Sequence, residues 1–379
     1  MHIRSIEAFP LSARLPENAR VTLGIGTTVK RDTVLVKVTT DDGLTGYGEA
    51  HHGRAPGAIA NLVNSTLREL VTGHDVNDVV GIWQRIYLLQ LASHGMGAAA
   101  AIAMSGIDMA LWDIRGKAVG LPLHALLGGA RRPAKAYAGG IALGYQPPES
   151  LADEAQALVA RGYRAMKLRI GDTPANDMAR VTAVRERVGP EVDILTDANA
   201  NATVEHVRAI MPCLDANRVG WLEEPFAPHD YRRYRTAAGF GSTPLAAGEN
   251  HYTRFEFVRL IEDGAVTYLQ PDLSKAGGIT EALRIAGLAS AWKLSINPHC
   301  SATSLNMAAT LHFLGAIDNP GYFEAEVAEF NPFRDTLCSS PYVFADGMAR
   351  APEGPGLGVE VDESCIARFP LIDGPGYVK

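Results

Sequence analysis

The rhythm of hydrophobic and polar positions changes near residue 134. Before that point two stretches alternate as strands do, IRSIEAFPLSARL and DTVLVKVTTDDGLTGYGEA, the second turning at TDDG. From about residue 57 to 127 apolar residues recur at helical spacing, in AIANLVNSTLRELV, VVGIWQRIYLLQL and AAIAMSGIDMALWDIRGKAVG, and LPLHALLGG closes the region. Beyond 134 short apolar runs alternate with amphipathic segments. The runs are AKAYAGG, AMKLRI, VDILTDAN, VGWLEEP, PLAAGE, TYLQPD, KLSINPH and GYFEAEV; the segments between them include SLADEAQALVARG and TEALRIAGLASAWK. Eight strands with intervening helices predict an α/β chain built on a TIM (β/α) barrel. No glycine-rich loop follows the first strand, which argues against a dinucleotide-binding sheet. Three parts are expected: an α+β part over 1–130, the barrel over 131–330, and a turn-rich segment, 331–379, that packs back on the first part.

Composition narrows the class. The 379 residues are 47% hydrophobic and 20% charged, which suits a large domain with a smaller one and excludes disorder. A net charge of −7 advertises neither nucleic acid nor an anionic membrane as partner. The N-terminal stretch has no apolar core of a signal peptide, and the run MGAAAAIAMSGIDMALW is short and carries Asp108, so it reads as a buried helix. The four cysteines, at 213, 300, 338 and 365, form no CxxC pair and are expected as reduced thiols in a cytoplasmic protein.

The polar residues fall at the strand ends, where a barrel builds its site. Asp197 and Asn199 end the third run, Glu223 and Glu224 the fourth, Glu249 and Asn250 the fifth, Asp272 the sixth and His299 the seventh, with Glu324 on the eighth. Lys167 and Arg169, on the second, point to one side because a strand alternates. Asp197, Glu223 and Glu249 are evenly spaced on three consecutive strands. Three carboxylates at one barrel mouth cannot all stay ionised without a cation, and an all-oxygen set suits Mg2+. Each alone could instead cap the helix that follows it. Zn2+ is disfavoured, since no histidine or cysteine joins the three. Asp272 beside His299 would fix the imidazole tautomer and make it a usable general base or acid.

At this point the motifs match a known family. GYGEA, SGIDMALWDIRGKAVGLPLHALLGG, TDAN, WLEEP, GEN, QPDLSKAGGIT, the His299 strand and YFE, in this order, resemble the enolase superfamily, mandelate racemase subgroup. The resemblance implies an α+β capping domain, built from both termini, over a modified barrel. It also implies Mg2+ and removal of a proton α to a carboxylate. On it, Asp197, Glu223 and Glu249 are the metal ligands with Glu224 beside them, His299 and Asp272 are the catalytic pair, and Glu324 hydrogen-bonds the substrate carboxylate. Lys275 is expected to be structural. One departure matters. The family pattern on the second strand is Lys-x-Lys, and here it is Lys167-Leu168-Arg169. Arginine, with a pKa of about 12.5 or higher, is almost never free to accept a proton. A racemase needs a base on each face of the carbanion; a β-elimination does not. Arg169 is therefore expected to clamp charge more than to move a proton.

Substrate contacts are expected from the loops TLGIGTTVKRD and EAHHGRAPG, through Lys30, His51, His52 and Arg54, with Asn199 at the strand ends. These suit hydroxyls or a second carboxylate. The expected activity is that of a lyase: dehydration of an aldonate or aldarate to a 2-keto-3-deoxy acid. An isomerase, either a cycloisomerase of a sugar-acid lactone or anhydro-sugar acid or an epimerase, is the alternative through the same enolate. The partner is a small carboxylate, and a homo-oligomer is expected from the family.

Overall fold

The computed structural model describes residues 1–93, 95–300 and 303–379. Its centre is a ring of parallel strands: Ala134–Gly139, Ala165–Arg169, Asp193–Asp197, Leu222–Glu223, Leu245–Ala247, Val266–Leu269 and Ser295–Ile296, each hydrogen-bonded to the next. The eighth, Phe323–Glu326, pairs in parallel with the first, Phe323 opposite Ala136. A bridge from Ile296 to Pro320 closes the ring. Helices such as Pro148–Ala160, Pro174–Val188 and Gly278–Ala291 return the chain between strands.

Strand alternation sets what the ring encloses. Tyr137, Ala165, Leu195, Trp221 and Ala246, with Tyr268 and Tyr322, fill its lower interior. Tyr137 meets Trp221 edge to face, centroids 5.7 Å apart. Two residues further along several strands the same inward face turns polar: Lys167 follows Ala165, Asp197 follows Leu195, Glu223 follows Trp221, and Glu324 follows Tyr322. The apolar plug thus forms the floor of a polar mouth.

The first part is a three-stranded antiparallel sheet, Ile3–Arg14, Lys30–Thr40 and Thr45–Ala50 in that order, with the long helix Ala98–Val119 against it. That helix is apolar on nearly every side because it is wedged between this sheet and the barrel. The helical stretches expected before it are interrupted by π-helical turns at Val63–Leu67 and Tyr87–Leu91. Side chains dock the two layers. Trp83 Nε1 donates to the Gly277 carbonyl at 2.9 Å, Trp112 Nε1 donates to Thr280 Oγ1 at 2.9 Å, and Asp108 Oδ2 accepts from the Thr280 N–H at 3.0 Å. Gly278 allows this approach, since a Cβ there would lie 2.4 Å from Asp108. The chain's last strand, Tyr377–Val378, pairs antiparallel with Gly26–Thr28, so the tail joins the loop that overhangs the barrel mouth. Among the described residues no helix is long and apolar enough to cross a membrane.

Candidate active site at the mouth of the barrel

The strand ends and the overhanging loops enclose a cavity of about 200 Å³. Its wall includes Arg169, Asn199, Glu249 and His299 from the barrel, and Lys30, His51, His52 and Arg54 from the first part. Lys167, Asp197, Glu223, Asp272 and Glu324 lie just beneath, almost wholly buried.

Reaching the mouth requires the backbone to turn sharply at the strand ends. Asn199, Ala200 and Glu224 all have positive φ. Gly248 has φ +148°, and a Cβ there would stand 2.6 Å from the Gln270 nitrogen, so only glycine lets the fifth strand pass its neighbour and present Glu249.

Lys167 and Arg169 do share one side. Lys167 Nζ lies 2.7 Å from Glu223 Oε1, 3.1 Å from Glu324 Oε1 and 3.6 Å from Asp197 Oδ2. Arg169 pairs with Asp197 and donates to the Gly140 carbonyl. Burial alone would weaken the hold of both cations on their protons, but the surrounding carboxylates raise both above their ordinary values.

Asp197, Glu223 and Glu249 gather on one side but each faces a protein cation or donor. Glu223 also accepts from Trp221 Nε1 at 3.1 Å and from Gln270 Nε2 at 2.6 Å; Glu249 lies 3.1 Å from His299 Nε2. No three His, Cys, Asp or Glu side chains among the described residues surround a common point as a metal would require. The donor set nonetheless fits a hard divalent cation. Burial pushes Glu223 up to about 8, only partly offset by Lys167. Burial, with Glu249 alongside, does the same to Glu224, whose Oε1 is buried without a hydrogen-bond partner among the described residues. These carboxyls lack sufficient positive charge nearby.

His299 donates through Nδ1 to Asp272 Oδ2 at 2.7 Å. Asp272 is held in turn: its Oδ1 accepts from the Ser274 N–H and Oγ, both at 2.7 Å, and from Asn306 Nδ2 at 3.0 Å. That assignment leaves Nε2 to the cavity. Burial opposes a charged imidazole, yet Glu249, Asp272 and Glu324 together raise its pKa to about 9.

Glu324 accepts from the Gly140 N–H at 2.9 Å and the Cys300 N–H at 3.1 Å. Despite burial, Lys167, His299 and Arg169 hold it down to about 2. Here it is an ionised acceptor, whereas a hydrogen bond donated to the substrate would require its proton. Lys30 is spent as well, at 3.1 Å from Asp32 Oδ2 and 2.5 Å from the Ile372 carbonyl.

Residues 5–128 match the mandelate racemase / muconate lactonizing enzyme N-terminal domain, and residues 150–365 match the enolase C-terminal domain-like model. The chain belongs to the enolase superfamily, in its mandelate racemase subgroup. A crystal structure of an enolase superfamily member from Polaromonas sp. JS666 superposes with a TM-score of 0.97, at 57% identity over all of both chains. A racemase from Streptomyces coelicolor with bound magnesium gives a TM-score of 0.88 at 29% identity, covering 97% of this chain and 100% of that one. Among curated relatives, D-galactarolactone cycloisomerase of Agrobacterium fabrum is 32% identical over 91% of this chain and 93% of its own length. D-galactonate dehydratase of Ralstonia pickettii is 33% identical over 88% and 90%. The enolase superfamily fold, a capping domain over a TIM barrel, accounts for the layered architecture.

Within this enolase superfamily site the structure adds Gln270 and Tyr377, which the sequence left unremarked, and gives a role to Asn250, which the sequence placed at the fifth strand end without one. Gln270 braces Glu223; Asn250 Nδ2 donates to Glu224 Oε2 at 2.6 Å and to Glu249 Oε1 at 3.0 Å; Tyr377 lines the cavity. Gln270 had a signal, since it stands just past the strand Val266–Leu269, two residues after Tyr268 and two before Asp272. Tyr377 had none, lying more than fifty residues past the last barrel strand.

Proposed function

We propose that this enzyme removes the proton α to the carboxylate of a polyhydroxy acid with Mg2+ as cofactor, and that it dehydrates the acid to a 2-keto-3-deoxy product. The observation that carries the reading is the asymmetry of the site. His299, oriented by Asp272, turns its Nε2 to the cavity against Glu249, a contact that would be relaxed were Glu249 to hold a metal ion, while Lys167 and Arg169 are held protonated by carboxylates. There is one base, which suits β-elimination.

Asp197, Glu223 and Glu249 would hold the metal, with Glu224 and Asn250 beside them. When bound, Mg2+ supplies neutralisation of the substrate carboxylate's growing negative charge. Lys167 and Arg169 add fixed positive charge near the same oxygens. His299 Nε2 takes the α-proton, and Asp272 stabilises the imidazolium that results. The same Nε2–H then passes that proton to the β-hydroxyl on its own face. The C–O bond breaks, water leaves, and the enol becomes the 2-keto acid. If the β-oxygen belongs to a ring, the same transfer opens the ring and mass is unchanged. The dehydratase and cycloisomerase names of the relatives thus differ in leaving group and share the proton step. Four free thiols support a cytoplasmic setting. The exposed Val80, Leu88, Leu89 and Met96 of the capping domain support an assembly of several copies.

The test is a screen of purified protein with Mg2+ against aldonic and aldaric acids, reading 2-keto acid by semicarbazone absorbance. A keto product is expected. An isomer of equal mass would favour the cycloisomerase outcome, and inertness toward every acid would reject the proposal.

A further inference from the structure

Glu49 is a fully buried carboxyl with no part in the proton transfer. It lies on the capping strand Thr45–Ala50, whose alternation decides its surroundings. Gly48 faces the helix Ala98–Val119 so closely that a Cβ there would stand 2.1 Å from the Gly106 carbonyl oxygen. Glu49 turns the other way, toward the barrel. Its Oε2 accepts from Thr303 Oγ1 at 2.5 Å. The same hydroxyl oxygen accepts from the Leu305 N–H at 3.0 Å, so Thr303 caps the helix Ser304–Leu314. Burial pushes Glu49 up to about 7; the Thr303 hydroxyl lowers it, the charge of Asp272 raises it, and the N–H groups of Thr303 and Asn306 lower it. Among the described residues no cation forms an ion pair with it. Burying a carboxyl in this way is costly, and what it secures is the start of one helix.

That helix reaches the catalytic pair. Asn306, in its first turn, donates from Nδ2 to Asp272 Oδ1 at 3.0 Å, and Asp272 Oδ2 accepts from His299 Nδ1 at 2.7 Å. Thr303, Asn306 and Asp272 are all almost wholly buried. The other donors to Asp272 Oδ1 are the N–H and hydroxyl of Ser274, and they are tied to the end of the same capping strand: the Ser274 carbonyl accepts from the His51 N–H at 3.0 Å. Glu49 and His51, two residues apart in the capping domain, thus brace both sets of donors to Asp272. Such a chain of buried hydrogen bonds holds its members as a unit.

We propose that Glu49 is a positioning residue for the His299–Asp272 pair: through Thr303 it fixes the helix that carries Asn306, so the imidazole is oriented only while the capping strand is docked. The inference rests on His299 acting as the base. The role asks for an acceptor rather than a charge, and a glutamine carbonyl can fill it.

The experiment measures kcat and KM on the full-length protein with Mg2+ and the best acid from the screen, for Glu49→Ala, Glu49→Gln, Asn306→Ala and the double variant Glu49→Ala with Asn306→Ala. Glu49→Ala is expected to lower kcat about 20-fold with KM changed by less than about twofold, and Glu49→Gln to keep kcat within about threefold of the unaltered protein. Because Glu49 acts through Asn306, the double variant should match the slower single variant instead of multiplying the two losses. A residue that only holds the fold together would lower the melting temperature and leave kcat per folded molecule alone. Full kcat in Glu49→Ala, a Glu49→Gln as slow as Glu49→Ala, or multiplied losses in the double variant would overturn the positioning role and leave His299 as the base. Should Glu49→Ala fail to fold, Thr303→Val ends the same hydrogen bond from the helix side, with Thr303→Ser as its rescue and the same outcomes deciding. Persistent α-proton exchange in His299→Asn, or no turnover of any acid, would overturn the base and the positioning role together.

Discussion

Asp272 decides which nitrogen of His299 carries the proton, and with it whether the imidazole can act on substrate. Asp272→Asn keeps the size of the side chain but ends the acceptor role that orients the ring. It should lower kcat by about 100-fold or more, with KM little changed and the folded circular-dichroism spectrum retained. Full activity in that variant would deny the pair its role. Glu249 makes the complementary case. As a proposed metal ligand facing His299, its replacement in Glu249→Gln should abolish turnover together with any effect of Mg2+ on melting temperature; retained activity in EDTA would contradict it. At this scale much of the site was legible in sequence. Charged residues at the ends of apolar runs are conspicuous because a buried strand has no other reason to carry them. Asn250, Gln270 and Lys275 were harder to read. The amides are uncharged, and a lysine in a turn looks solvated until its surroundings are known.

Secondary-structure elements convert those residues into a constellation. Gly248 is a tight point, where the chain leaves the fifth strand against Gln270 at the end of the sixth with a backbone no side chain adopts comfortably. Gly248→Ala should cost roughly 1–3 kcal/mol in chemical denaturation and displace Glu249, so activity falls further than stability explains. The docking of the capping helix is testable through pH. Burial pushes Asp108 up to about 7, well above its value in an unfolded chain. The folded state therefore binds this proton more tightly. Its contribution to stability is complete below about pH 4 and is lost as pH rises through about 7. Asp108→Asn should flatten that part of the profile; identical pH slopes in the two proteins would show that Asp108 does not titrate there. The barrel strands and their order could be read from period and spacing alone. The π-helical turns at Val63–Leu67 and Tyr87–Leu91 could not, because an extra residue in a helical turn leaves the apolar pattern nearly unchanged. The pairing of Tyr377–Val378 with Gly26–Thr28 was beyond reach for another reason: strands of two and three residues bring together opposite ends of the chain and carry no periodic signal.

Taken whole, the molecule is an apolar ring that supports a charged rim, closed over by a layer assembled from both chain ends. The floor of Trp221, Tyr137, Tyr268 and Tyr322 gives the carboxylates no water from below, so their charge must be balanced from within the mouth. Without a divalent cation Lys167, Arg169 and His299 provide only part of that balance, and Glu223 and Glu224 stay above the ordinary carboxylate range. Mg2+ should accordingly raise the melting temperature in a concentration-dependent way, as any ligand confined to the folded state does; an unchanged melting temperature at millimolar Mg2+ would count against the site. The central claim is that a single base, His299, opens the reaction. The most direct measurement is NMR in D2O, with Mg2+ and the best acid from the screen, on the unaltered protein and on His299→Asn. Loss of the α-proton in the unaltered protein and none in the variant is the predicted result. Exchange that persists in His299→Asn would place a second working base on the Lys167–Arg169 side and contradict the one-base account.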